Sequence, residues 1–210
     1  MSIISYFNMA NKITMDKVEH KHFVIYKPYG YLSQFISNAS KQKSKKFLGT
    51  LFDFPKDIMS IGRLDEKSEG LLLLTTDGKI SDYVNSQKVG KEYYAQVDGN
   101  ISEAAIEQLK VGIEIGFNGK KYRTKPCEVF KLDESPKFPI RSQKIRDARH
   151  GPTSWISLTL HEGKFRQVRK MTSAVGFPTL RLVRVRVGKI LLGNMDVGEV
   201  FEVLDLKELL

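Results

Sequence analysis

Gly62-Arg63-Leu64-Asp65-Glu66-Lys67-Ser68-Glu69-Gly70-Leu71-Leu72-Leu73-Leu74-Thr75-Thr76-Asp77-Gly78 reads as strand, loop, buried strand and turn. The apolar run Leu71–Leu74 is short and uniform, without the polar face of an amphipathic helix. Bounded by Gly70 and Asp77-Gly78, it fits a strand covered on both faces, although periodicity alone leaves a helix open. The loop before it carries charge and glycine and sets Arg63 and Asp65 two positions apart. An acid anchored between two core segments is a good place for chemistry, because the scaffold fixes its geometry.

Working outward, Phe23–Tyr26 is a run of β-branched and aromatic residues, hence a strand. Lys27-Pro28-Tyr29-Gly30 ends it with turn residues. Residues 37–50 form a polar, lysine-rich loop. On the other side, residues 79–87 predict a short helix, and Lys91–Gly99 alternates like a strand that stops at a turn. Ser102 caps a predicted helix with Ala105, Ile106 and Leu109 on one face. Ile113–Phe117 and Lys125–Phe130 predict two more strands, the first ending at Asn118-Gly119. Residues 133–153 hold three prolines and many basic residues, which predicts a long exposed loop or hairpin. Trp155–Leu160 is a strand, Lys164–Val175 a helix stopped by Gly176, and Arg181–Val187 a strand with one wet face. Ile190–Leu192 and Val200–Leu204 finish the sheet.

The chain has 210 residues, enough for one domain with a sizeable core, or two lobes of one. Hydrophobic residues make up 41% and charged residues 28%, an ordinary globular balance. No apolar run approaches a membrane span, and the first residues lack the pattern of a secretory signal. A single cysteine, Cys127, excludes an internal disulfide and suits a reducing cytoplasm. Residues 1–20 show no sustained period and are expected to form a flexible N-terminal tail. The net charge of +10 points to a polyanionic partner.

The predicted helix at 164–175 localises that charge. At about 100° per residue, Phe165, Val168, Met171, Thr172 and Val175 share one face, which packs inward. Arg166, Arg169, Lys170 and Ser173 share the opposite one. No acid lies between Lys164 and Arg186. A solvated face normally mixes signs, so this one reads as an anion-binding face, continued by Arg181, Arg184 and Arg186. If any of these arginines is buried, a counter-charge is required, and Asp65 is a candidate.

G-R-L-D followed by S-E-G-L-L-L-L-T-x-D-G resembles the catalytic motif of the pseudouridine synthases, and more narrowly the branch that acts on ribosomal RNA. K-P-x-G at 27–30, K-x-Y-x-x-x-V-x-G at 91–99 and G-x-x-R-Q-V-R-K-M at 163–171 resemble further motifs of the same family. The likeness covers roughly residues 22–205 and fits the short members lacking an N-terminal S4-type RNA-binding module. It implies that Asp65 is the catalytic carboxylate, that Arg169 sits against it, and that Tyr93 lies against the uracil. It also implies the reaction. The bond from ribose C1′ to base N1 breaks, the uracil turns, and C5 bonds to C1′. One carboxylate is enough and no cofactor is required. The aspartate has three routes: attack at C1′, assisted loss of a ribose proton to give a glycal, or addition to uracil C6. A guanidinium beside it favours the ionised form, which suits a nucleophile and not a general acid.

The base must leave its stack, at a cost of a few kcal/mol; stacking on an aromatic side chain recovers about 1–3 kcal/mol per base. Arg63 is then a wedge or phosphate holder, Arg166 and Lys170 are substrate-binding cations, and Leu182 lines the base pocket or the core. Tyr94 should point to the opposite face of its strand. A glycosidase would need two carboxylates about 5–10 Å apart, and Asp65 with Glu69 could supply them, but that reading leaves the basic face unexplained. Glu69 is better read as bonding to backbone, Cys127 as a buried inert thiol, and His20 and His22 as surface residues. His20, His22, His150 and His161 form no metal-ligand pattern.

The expected fold is therefore α+β. A central, largely antiparallel mixed β-sheet is flanked by helices and loops, with a basic cleft holding Asp65, Tyr93 and Arg169. One catalytic domain is expected over 21–210. The expected substrate is a uridine of 23S ribosomal RNA, with 16S or transfer RNA, or catalytically silent RNA binding, as alternatives. The basic loops at 41–46 and 137–150 are the expected RNA contacts. A cytoplasmic monomer without metal or cofactor is the expected state.

Overall fold

The computed structural model describes residues 19–36 and 44–210. The expected tail lies outside them apart from residues 19 and 20, and so do positions 41–43 of the lysine-rich loop. The chain begins with strand β1 (His22–Lys27), then the two-residue strands β2 (Tyr31–Leu32), β3 (Lys46–Phe47) and β4 (Met59–Ser60). Next come β5 (Glu69–Thr75), α1 (Gly78–Asn85), β6 (Lys91–Asp98) and α2 (Glu103–Val111). A hairpin of β7 (Glu114–Phe117) and β8 (Lys120–Arg123) leads to β9 (Glu128–Lys131) and β10 (Thr153–Leu160). Helix α3 (Gln167–Ala174), β11 (Thr179–Val187), β12 (Ile190–Leu191) and β13 (Val200–Val203) complete the chain.

A nine-stranded sheet runs in the order β13-β1-β5-β11-β6-β10-β9, with β12 added to β11 and β4 to β5. Its pairings are antiparallel except between β5 and β11, which run parallel through Glu69–Val183 and Gly70–Arg184. The fold is thus the α+β, mainly antiparallel mixed sheet that the sequence predicts.

Strand β5 is buried along its whole length, with Leu71–Leu74 at 1% exposure or less. Successive strand residues point to opposite faces, and the leucines divide accordingly. Leu71 and Leu73 pack with Val24, Tyr26 and Val183; Leu72 and Leu74 pack with Phe23, Ile25 and Leu64. A third cluster fills the other half of the sheet. It joins Ala95 and Val97 of β6, Ile156 and Leu158 of β10, Ile106 and Leu109 of α2, Val168 and Met171 of α3, and Leu182 of β11. The predicted cap is present, Ser102 Oγ accepting from Ala105 N–H, and Asp77, read as a turn residue, also caps α1 by accepting from Lys79 N–H.

Several expectations change. Strand β8 is absent from the sequence reading because Lys120-Lys121-Tyr122-Arg123 has no apolar alternation. It forms because Asn118 (φ +50°) and Gly119 (φ +73°) turn the chain back on β7. Helix α3 begins at Gln167, three residues later than its periodicity predicts, because Arg166 adopts the left-handed conformation (φ +53°). Strand β11 has no wet face. Arg181 and Arg184 are 7% and 3% exposed and must find partners inside the protein. Arg181 donates two hydrogen bonds to the Glu69 carboxylate, at 3.0 and 3.1 Å, and a third to Pro139 O. Arg184 Nε donates to Leu71 O, and Arg186 Nε to Glu92. Glu69 therefore bonds to a guanidinium rather than to backbone. His22 is buried, not at the surface, with Nδ1 2.8 Å from Thr75 Oγ1.

Residues 133–153 form little regular structure, but they do pack. Phe138 lies against Trp155, Tyr94 and the Arg181 guanidinium. None of the described helices is long and apolar enough to cross a membrane.

The parallel seam between β5 and β11 requires Gly70. Its φ is +100°, and a Cβ there would lie 2.4 Å from Arg184 O and 2.8 Å from Arg184 N. Gly70→Ala combines left-handed strain with a backbone clash, and should cost roughly 3 kcal/mol. Urea denaturation with the wild-type midpoint would show that the seam has another determinant.

Candidate active site

In the loop between Ile61 and β5, the carbonyls of Leu64 to Ser68 each accept a hydrogen bond. Ser33 Oγ donates to Leu64 O and accepts from Leu64 N–H. Ser68 N–H donates to Asp65 O, and Gly30 N–H to Glu66 O. Arg169 Nη2 donates to Lys67 O at 2.7 Å, and Lys27 Nζ to Ser68 O at 2.8 Å. Two of these donors are basic side chains taken largely out of water. Lys27 is fully buried, and the Arg169 side chain is 11% exposed. Hydrogen bonds from charged donors are stronger than neutral ones. The loop is consequently fixed from β1, from the turn after it and from α3.

The Asp65 carboxylate remains accessible, with a side chain 20% exposed. It accepts no hydrogen bond from the described residues, but two guanidiniums face it. Arg169 Nε lies 3.8 Å from Oδ2, and Arg166 Nη1 lies 3.9 Å from the same oxygen. Arg169 Nε is buried and has no other partner. Buried donors are normally paired, so this N–H is held toward the acid; an approach of about 1 Å would make the bond direct. Burial and the neighbouring Arg166 push the Arg169 pKa down, and Asp65 pushes it back up. Three guanidiniums share this region, because Arg141 also acts on Arg169.

The structure brings Asp65, Arg169 and Arg166 together. Tyr93 is partly buried and packs against two apolar clusters, one containing Leu64 and the other Leu182, Val168 and Met171. It thus stands on the sheet between the acid-bearing loop and α3. Leu182 is 5% exposed within that second cluster. Arg63 is exposed and forms no ion pair among the described residues. Lys170 Nζ donates to Gly116 O of β7. Tyr94 lies against Phe138, away from that cluster, and burial pushes its pKa up. Burial likewise pushes the Cys127 thiol up to about 11, consistent with an inert cysteine.

Sequence reasoning missed three contributors. Lys27 and Ser33 hold the acid-bearing loop. Arg141 is brought in by residues 133–153; its guanidinium stacks on Tyr29 at 4.5 Å, and its Nε donates to Gln143 O. Tyr29 Oη in turn donates to Gln143 Oε1. The signal for Lys27 was its place in K-P-x-G. Ser33 had none, since its role depends on a backbone partner 31 residues away. In the expected basic loop, Lys45 is paired with Glu66 at 2.8 Å.

A mixed sheet with a guanidinium-flanked aspartate on a clamped loop defines a class, and comparison with known proteins agrees with it. The RNA pseudouridylate synthase family model matches residues 21–174. Ribosomal large subunit pseudouridine synthase E of Vibrio parahaemolyticus is 39% identical over 194 residues, covering 90% of this chain and 76% of that one. The protein of the same name from Xanthomonas axonopodis is 40% identical over 164 residues, 77% of this chain and 83% of the relative. Ribosomal large subunit pseudouridine synthase B of Bacillus subtilis is 31% identical, covering 92% and 72%. A crystal structure of a pseudouridylate synthase superposes with a TM-score of 0.70 at 26% identity, covering 91% of this chain and 73% of that one. The chain belongs to the RNA pseudouridylate synthase family and is an RNA pseudouridine synthase.

Burial lowers the Lys27 pKa to about 7 from an ordinary 10.5, despite the nearby carboxylates Glu69 and Asp65. Between those values the unfolded chain holds the proton and the folded chain has released it, so this group makes stability rise from about pH 7 toward 10.5. Lys27→Met should flatten that rise in urea unfolding across the same range. An unchanged slope would mean that Lys27 stays charged in the folded protein.

Proposed function

We propose that the protein isomerises a specific uridine of large-subunit (23S) ribosomal RNA to pseudouridine, with residues 21–210 as the catalytic domain. The observation that carries this reading is the Asp65 carboxylate, accessible, free of hydrogen bonds from described residues, and 3.8 and 3.9 Å from two guanidiniums. Two guanidiniums at that range supply counter-charge beside the carboxylate. Its three possible routes, at C1′, through a glycal or at C6, all begin from that carboxylate. Arg169 is assigned to hold the loop and steady the aspartate's charge, and Tyr93 to lie against the flipped uracil, above the cluster containing Leu182. Arg166 and Lys170 are assigned to the RNA backbone, and exposed Arg63 to the strand from which the base is withdrawn.

The names of the relatives supply the substrate class, and the net charge of +10 fits a polyanion. The chemistry is an internal rearrangement: the proton lost from C5 is matched by one gained at N1, so no oxidant or second substrate is consumed. The single, inert cysteine fits a reducing cytoplasm.

Asp65→Asn replaces the charge with a near-isosteric amide. It should abolish pseudouridine formation on a protein-free 23S transcript while leaving the urea midpoint and RNA affinity close to wild type. Modification that persists in the variant would remove Asp65 from the mechanism. Mapping pseudouridine in RNA from cells with and without the protein identifies the nucleotide; loss at a 16S or transfer RNA position would reassign the substrate.

A further inference from the structure

Phe165 is 68% exposed, although helical spacing places it on a buried face. The cause is local. Helix α3 starts at Gln167, and the left-handed Arg166 turns the preceding residue outward. A non-glycine residue with positive φ is uncommon, and such strain concentrates at functional sites. Arg166 is also the residue whose guanidinium lies 3.9 Å from Asp65. The exposed ring therefore belongs to the residue next to one that faces Asp65.

Phe165 has company. Lys170 Nζ lies 5.5 Å from its ring centroid and 5.8 Å from that of Phe117 on the β7–β8 hairpin. Lys164 Nζ lies 5.3 Å from the Phe117 ring and 5.0 Å from the Tyr122 ring. Glu162 ties this hairpin to the start of the helix. It accepts from Tyr122 Oη, from Lys125 N–H at 3.0 Å and from Gln167 Nε2 at 2.7 Å. The other acid here, Glu114, is paired with Lys121 at 2.8 Å. Lys120, Arg123 and Lys164 have no ion pair among the described residues. Aromatic rings interleaved with cations that form no such ion pair, beside the residue that faces Asp65, match the chemistry of single-stranded RNA: faces for bases, charge for phosphates.

We propose that Phe165, with Lys164 and the β7–β8 hairpin, forms a stacking ledge for a nucleotide flanking the target uridine. The ledge would hold the neighbouring base while the uridine is withdrawn toward Asp65, so that the RNA keeps one stack as it loses another. The proposal rests on the RNA-modifying reading above.

The test uses the full chain and a short 23S fragment carrying the uridine mapped with the wild-type enzyme. Phe165→Ala should fold normally, since the ring is exposed, and raise Kd about 10-fold or more. Phe165→Trp should restore affinity and Phe165→Leu should not, because leucine has no π face. Lys164→Gln should lower the slope of log affinity against log salt by about 1, a change that Phe165→Ala should not produce. Wild-type affinity in Phe165→Ala, or rescue by leucine as complete as by tryptophan, would overturn the ledge alone. Failure of the wild-type enzyme to isomerise any 23S uridine would overturn the underlying reading, and the ledge with it.

Discussion

The site depends on holding five consecutive carbonyls, Leu64 to Ser68, each by its own donor. A loop rich in charge and bounded by glycine would otherwise sample many conformations, and each residue fixed costs about 1–2 kcal/mol of backbone entropy. Here the ordering comes from distant parts of the chain. Lys27 and Gly30 reach from β1 and its following turn, Ser33 from just beyond, and Arg169 from a helix 102 residues further on. Two of the five donors carry charge in a setting that penalises it, as the depressed pKa values of both Lys27 and Arg169 register. That penalty is tolerable because each cation finds carbonyl oxygens where it lies. The same guanidinium that fixes Lys67 O turns its Nε toward Asp65, so the clamp and the electrostatic partner are one residue.

The cations of the chain divide into two populations that the sequence alone cannot separate. Those on β11 are internal. Arg181 is committed to Glu69, Arg184 to a backbone carbonyl and Arg186 to Glu92. Removing one partner of a buried pair such as Arg181–Glu69 typically costs 3–5 kcal/mol, whereas Arg184 meets a backbone carbonyl and Arg186 is 29% exposed beside Glu92. Those around the cleft and hairpin are external: Arg63, Arg166, Lys164 and Lys120. In sequence, Lys164 and Arg166 look continuous with the β11 arginines, as one basic tract from 164 to 186. The distinction comes from what packs over the sheet: Arg181, for one, meets Phe138 and Pro139 of the 133–153 segment.

This division explains what was legible. Strand β5, the turn after β1, the alternation of β6 and the caps of α2 were readable because each rests on local rules of periodicity, turn chemistry and hydrogen-bond reach. The pairing of Asp65 with Arg169 was readable only through motif resemblance, since nothing local links positions 65 and 169. The burial of Arg181, Arg184 and His22 was not readable, because it follows from which strands lie beside them. The start of α3 was misplaced for a different reason. Apolar spacing continues smoothly through Phe165, and only the backbone conformation at Arg166 interrupts it. Arg141 went unseen within a proline-rich segment whose composition reads as solvent-exposed, yet whose Phe138 packs on Trp155.

The acids of the organising stretch also bear on the kind of chemistry available. Glu69 is held by two hydrogen bonds from Arg181, Glu66 by Lys45, and Asp77 by its capping bond to Lys79 N–H. Asp65 alone among them is left without a hydrogen bond from the described residues. A reaction requiring a second carboxylate as acid or base would have to break one of those attachments, and for Glu69 that means leaving a buried guanidinium unpaired. A rearrangement that needs one ionised oxygen beside an arginine makes no such demand. Of these attachments only that of Glu69 is buried; the Lys45–Glu66 pair is more than a third exposed and parts at little cost.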